Sequence, residues 1–200
     1  MSNNQNPTAL FVSAHSADFV WRAGGAIALH AKRGYKVIIV CLSYGERSEY
    51  AKLWKQHGYT LEKVKSGRRK EAETAAEIVG GETVFLDIGD YPMRLTDDHL
   101  YQLVDIYRNH HPEFLLTHSK EDPYNFDHPL ATNLAQEARI IAQPHGHNPA
   151  EKVLGAPGVF LFEPHQTEQC NWKPDVLLDI SKVRDIKRKA IEVMAGQEHL

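Results

Sequence analysis

Apolar and polar positions along the chain fall into two alternating periods. Ala9 to Val12 is a short continuous apolar run, the size of a strand. From Asp18 to Arg33, Val20, Ala23, Ile27, Ala28 and Ala31 recur at helical spacing, and the pattern stops at Gly34. The β-branched run Lys36 to Leu42 suits a strand buried on both faces of a parallel sheet. Leu61 to Val79 predicts a long charged helix with Val64, Ala72, Ala75, Ala76 and Ile78 inward and Gly80-Gly81 as its stop. A third strand, Thr83 to Leu86, runs into Asp87-Ile88-Gly89-Asp90. Thr96-Asp97-Asp98 caps a helix whose apolar face is Leu100, Leu103, Val104 and Tyr107. Pro112 precedes a fourth strand, Glu113 to Thr117; a polar loop, His118 to His128, then leads to a helix from Pro129 to Ala142. Gln143 to Pro157 is rich in Pro and Gly and predicts a surface excursion. Val159 to Phe162 and Asp175 to Asp179 predict two more strands, parted by a polar stretch with His165 and Trp172. The pattern is helical again from Ser181 and carries no stop signal at Glu198-His199-Leu200, as in a chain trimmed from a longer protein.

Strands alternating with helices predict an α/β fold, a Rossmann-like three-layer domain with a mostly parallel sheet. No repeat or linker divides it, so residues 1–200 read as one domain. Gly24-Gly25 is costly inside a helix and predicts close packing against a neighbour.

Composition narrows the function classes. A formal net charge of -3 lacks the basic excess of a nucleic-acid binder. No apolar run reaches membrane-span length, and Met1 to Pro7 lacks a signal peptide's charged and apolar regions. Cys41 and Cys170 lie in unrelated segments, which argues against a disulfide framework and for the cytoplasm. No Gly-x-Ser-x-Gly elbow, P-loop or Gly-x-Gly-x-x-Gly follows a strand.

In a parallel sheet the loops after the strands converge at the carboxyl edge, where such folds bind ligands. His15 and Asp18 follow the first strand, Glu46 the second, Asp90 the third, His118 to His128 the fourth and His165 the fifth. His15, Asp18 and His128 would form a His/Asp/His set with open positions on zinc, and Asp127 could orient His128. On spacing alone, Asp127 as a helix cap and His128 as an exposed residue also remain open. Glu46 beside Arg47 also reads as a solvated loop carboxylate, and His165 as a surface histidine. His145-Gly146-His147 offers a second pair without a nearby carboxylate, and His110-His111 suits a helix end. The face Arg68-Arg69-Lys70-Glu71 reads as solvated, with one arginine available to brace the sheet end.

Ala14-His15-Ser16-Ala17-Asp18 resembles the Ala-His-Pro-Asp-Asp signature of the PIG-L/LmbE-like N-acetylglucosaminyl deacetylases. Gly45-Glu46, Arg69 to Gly80 and Asn125-Phe126-Asp127-His128 extend the likeness over nearly the whole chain. The resemblance implies zinc, or another divalent transition metal, on His15, Asp18 and His128. It also shows two losses: the family's hydrolytic base falls on Ala17, and its upstream histidine falls on Asn125. Alanine accepts no proton. The run through Phe19-Val20-Trp21-Arg22-Ala23-Gly24-Gly25 and the segment Phe162-Glu163-Pro164-His165 are similar to one branch, the 4-oxalomesaconate hydratases of bacterial gallate degradation.

That branch implies addition of water across the conjugated C=C of a small tricarboxylic keto acid, giving 4-carboxy-4-hydroxy-2-oxoadipate. Glu46 and His165 are then the expected acid/base pair, with their order open. Arg47, Lys120, Arg22 and Asn125 are the expected binders of substrate carboxylates. A zinc-dependent deacetylase and a non-catalytic binding domain are the competing readings. A homo-oligomer is expected, as for metabolic enzymes generally.

Overall fold

The computed structural model describes residues 6–148 and 152–197. The helical pattern read at 198–200, and part of the excursion at 149–151, lie outside the described residues.

Five strands form one sheet: β1 (Thr8–Ser13), β2 (Lys36–Cys41), β3 (Glu82–Phe85), β4 (Phe114–Thr117) and β5 (Gly158–Leu161). Their order is β3-β2-β1-β4-β5, and every pairing is parallel. The apolar runs at β1 and β2 have a two-sided cause. Ala9, Phe11, Val37, Ile39 and Cys41 enter one apolar cluster, while Leu10, Val12, Ile38, Val40 and Leu42 enter another. Successive side chains point to opposite faces, so a central strand covered on both sides needs apolar residues at every position.

Helices fill both outer layers. On the Phe11 side lie α1 (Gly24–Lys32), α3 (Leu61–Val79) and α6 (Arg184–Glu192). On the Leu10 side lie α4 (Asp97–His110) and α5 (Asp127–Ile141). A one-turn helix, α2 (Ala51–Trp54), sits in the loop after β2 and has no counterpart in the sequence pattern. Helix ends follow their local chemistry. Thr60 accepts the Lys63 backbone N–H at the start of α3, and Gly80 ends that helix at φ 82°, a conformation that favours glycine. Thr96 and His99 cap α4 reciprocally, each side chain accepting from the other's backbone N–H. Among the described residues, no helix is long and apolar enough to cross a membrane.

Asp175 to Asp179 is not a strand. Val176 and Leu177 are 66% and 86% exposed, and nothing pairs with them in a ladder. Strand propensity needs a free sheet edge. Here the chain has already left the sheet plane for the helical layer, where Ile180 packs against α1. A side-chain Cβ at Gly25 would lie 2.7 Å from two carbons of Ile180, which gives the Gly24-Gly25 pair its packing reason. Gly25→Val should therefore cost about 1–3 kcal/mol through overpacking, measured by urea denaturation. Unchanged stability would mean that Ile180 yields freely.

Candidate functional site

The strand ends deliver the site residues to one edge. Just past β1, the His15 backbone N–H donates to Asp18 Oδ2 at 2.8 Å, folding the turn so that both side chains face inward. A π-helical turn, Phe19–Ala23, follows before α1, a local widening often found at functional sites. From the other side of the sheet, His128 sits in the first turn of α5. It is 2% exposed, which excludes the exposed reading.

The three side chains converge. His15 Nδ1 lies 3.2 Å from Asp18 Oδ2, and His128 Nε2 lies 3.5 Å from Asp18 Oδ1. One donor atom from each of the three falls within 4.8 Å of the others. Each histidine is backed by a further carboxylate: His15 Nε2 is 3.2 Å from Asp127 Oδ2, and His128 Nδ1 is 2.8 Å from Asp122 Oδ2. This corrects the reading of Asp127. It orients His15 rather than His128, and its carboxylate accepts the backbone N–H groups of Tyr91 and Met93 instead of capping α5. Asp122 takes the part expected of Asp127.

The donor set fits a divalent transition metal. His128 Nε2 is buried with no hydrogen-bond partner and is aimed at Asp18, while its other nitrogen is held by a carboxylate. Two imidazoles and one carboxylate, with carboxylates behind both rings, form the ligand arrangement of a catalytic zinc site. Burial opposes ionisation of Asp18, but His128 and His15 outweigh it and hold the carboxyl well below its usual range.

His118 is a site residue that spacing did not single out. Its ring stacks on His128 with centroids 4.0 Å apart. Nε2 accepts the Ala14 backbone N–H at 2.9 Å and also lies 3.4 Å from Asp18 Oδ2. Burial, with His128 beside it, pushes His118 down to about 4, so the ring is neutral and keeps a lone pair for Ala14. It thereby ties the His15 turn to β4.

A family model described as PIG-L, GlcNAc-PI de-N-acetylase, matches residues 10–139. This chain belongs to the PIG-L family. A relative from Pseudomonas putida, named 4-oxalmesaconate hydratase, is 63% identical over 198 residues, which is 99% of this chain and 77% of the relative. The crystal structure of GalB, the 4-carboxy-2-hydroxymuconate hydratase of Pseudomonas putida, superposes with a TM-score of 0.94 at 63% identity, covering 96% of this chain and 80% of that one. An N,N'-diacetylchitobiose deacetylase from Pyrococcus horikoshii shares the fold, with a TM-score of 0.81 at 24% identity over 95% of this chain and 70% of that one.

The remaining residues of the PIG-L chain divide by position. His165 joins the centre: its Nδ1 lies 3.0 Å from Asp122 Oδ2, and its ring stacks on His128 at 5.1 Å. Glu46 is buried, but its carboxylate accepts the Tyr44 backbone N–H and lies against Gly89, among the charges of Asp90 and Lys65. Glu49 is the loop carboxylate whose charge reaches His15 and Asp18. Its side chain is 12% exposed and is paired with the fully buried Arg68, which also binds Glu71 and the Tyr44 carbonyl. Burial pushes the Glu49 carboxyl up, and Arg68 pulls it back down. Arg68 is thus the bracing arginine of its helix rather than a solvated one. Asp90 is occupied by the backbone N–H groups of Arg47 and Ser48 and by the Ser48 hydroxyl, so it pins the loop.

Among the expected carboxylate binders, Arg47 and Lys120 are exposed, and Arg22 lies 3.6 Å from Glu163. Asn125 is buried, its Oδ1 accepting the Asp127 backbone N–H at 3.0 Å. His147 lies away from the centre, stacked on Tyr101 at 4.7 Å.

Proposed function

We propose that this PIG-L chain is a metal-dependent hydro-lyase that adds water to the C=C of 4-oxalomesaconate, giving 4-carboxy-4-hydroxy-2-oxoadipate. The observation that carries the reading is 63% identity spread over 99% of the chain to a relative named for that hydratase activity. Ala17 agrees with it. Its methyl group lies in the apolar cluster with Phe19 and Val20, so no proton acceptor stands between His15 and Asp18.

Hydration of a conjugated keto acid needs water deprotonated, the adjacent carbon protonated and the enolate charge stabilised. Zinc held by His15, Asp18 and His128 would supply Lewis-acid stabilisation of that charge. The proton transfers fall to His165 and to a carboxylate of the loop after β2. Glu49 is the better supported carboxylate, because the buried Arg68 holds it where its charge reaches His15 and Asp18, whereas Glu46 accepts the Tyr44 backbone N–H beside Lys65. Arg68 keeps Glu49 in place through a charge-assisted contact. Arg47 and Lys120 on the rim suit the outer carboxylates of a tricarboxylate, with Arg22 and Asn125 beside the metal loops.

The test supplies 4-oxalomesaconate to the zinc-loaded protein and follows loss of its conjugated absorbance. Turnover is expected there, with no acetate released from N-acetylglucosamine derivatives. Acetate release without loss of the chromophore would replace the hydratase reading with the deacetylase one.

A further inference from the structure

Asp122 makes more contacts than a loop carboxylate needs. Its Oδ2 lies 2.8 Å from His128 Nδ1, 3.0 Å from His165 Nδ1 and 3.3 Å from the His165 backbone nitrogen. Its Oδ1 accepts the Tyr124 backbone N–H at 3.1 Å. One buried oxygen therefore meets the same nitrogen of two rings, one in the metal triad and the other in the proposed proton-transfer pair. An ionised carboxylate only accepts hydrogen bonds, so each Nδ1 facing it must carry a hydrogen. A neutral imidazole protonated at Nδ1 has its lone pair at Nε2.

We propose that Asp122 is a positioning residue that selects the Nδ1–H form of His128 and His165 together, leaving Nε2 of one for the metal and Nε2 of the other for substrate. The two rings stack at 21°. His165 turns its Nδ1 edge to the buried carboxylate while its side chain remains 32% exposed, so Nε2 is the nitrogen left to the open side. His128 Nε2 is correspondingly the orphaned atom facing Asp18. A purely structural role, pinning the loop through Tyr124, would need only Oδ1. The consequence for turnover rests on the hydratase reading; the hydrogen placement does not.

The decisive substitution is Asp122→Leu. Leucine fills the buried place but offers no acceptor, so nothing there holds the hydrogen on Nδ1 of either ring. Long-range ¹H–¹⁵N spectra of histidine-labelled protein, with the His165 signal assigned by its loss in His165→Gln, read the ring form directly, with and without zinc. The native protein is expected to show His165 protonated at Nδ1 in both cases, and Asp122→Leu to shift it toward Nε2–H. Zinc affinity, measured with the metal alone, should fall about 10–100-fold. Turnover of 4-oxalomesaconate should fall about 10²–10⁴-fold, with KM moving far less. An Nε2–H ring at His165 in the native protein overturns the proposal even if the variant does not fold. Native zinc affinity and an unchanged His165 spectrum in the variant overturn it as well. Failure of the native protein to consume 4-oxalomesaconate counts against the hydratase reading alone, since the spectra and the zinc titration still judge Asp122.

Discussion

Asp18→Asn is expected to yield a folded protein that holds less than one metal ion per chain and turns over about a thousandfold more slowly or worse. The fold should survive because the substitution keeps the shape and can keep the acceptor for the His15 backbone N–H, which shapes the turn. What disappears is the negative charge that His15 and His128 address through different carboxylate oxygens. An asparagine turns an N–H toward one of those rings, and two neutral imidazoles alone bind a divalent cation poorly. Loss of a Lewis acid removes several kcal/mol of charge stabilisation, and about 4 kcal/mol is roughly a thousandfold in rate. Metal analysis of protein purified without added metal, alongside the absorbance assay, checks both halves. Stoichiometric metal with turnover inside tenfold of native would show that the ion sits elsewhere.

The second large effect separates two carboxylates three residues apart. Glu49→Gln should lower turnover about 10²–10⁴-fold, the usual share of a positioned proton carrier, while Glu46→Gln stays within about tenfold. Glutamine at 49 keeps the volume and an acceptor for Arg68, so a drop would report the lost proton carrier rather than a collapsed loop. A carboxyl raised by burial and restrained by one arginine is poised to exchange a proton. Glu46 has its own partner in the Tyr44 backbone and Lys65 as its nearby cation, in place of the Arg68 of Glu49. The comparison is made on kcat at saturating substrate. A reversed order would return the role to Glu46, and two near-native variants would remove the loop carboxylates from the chemistry.

The layered α/β fold was legible because its signals are local. The apolar runs at β1 and β2 admit only a doubly covered strand, and Thr60, Gly80 and Thr96 mark helix ends by their own chemistry. The convergence of His15, Asp18 and His128 was legible for a similar reason, since His15 and Asp18 sit beside a strand end and His128 beside a helix start. Residues that act across the fold left no such mark. Glu49 is one charged residue among several in its loop and is singled out only by a buried arginine on α3. Asp122 and His118 read as polar loop residues until tertiary packing sets them against His128. Asp127 reads from the sequence as the partner of its neighbour His128, because the ring that it touches lies 112 positions away. Val176-Leu177-Leu178 shows the converse: local propensity favours a strand, but the chain there has left the sheet edge for the helical layer.

The strand order carries a kinetic consequence. β1 lies between β2 and β4, and its pairing with β2 joins nearby stretches, Thr8 opposite Lys36. Its pairing with β4 sets Ala9 opposite Phe114 and must close a far longer loop. Loop closure of that span delays folding, because its entropy is spent before the contacts form. His15 and Asp18 belong to the early pair and His128 to the late one. A chain still emerging during synthesis, with β4 unmade, presents only two of the three residues of the triad and no complete centre. A metal held by all three would therefore be captured at the end of folding, and would clasp together the two parts of the sheet that meet last.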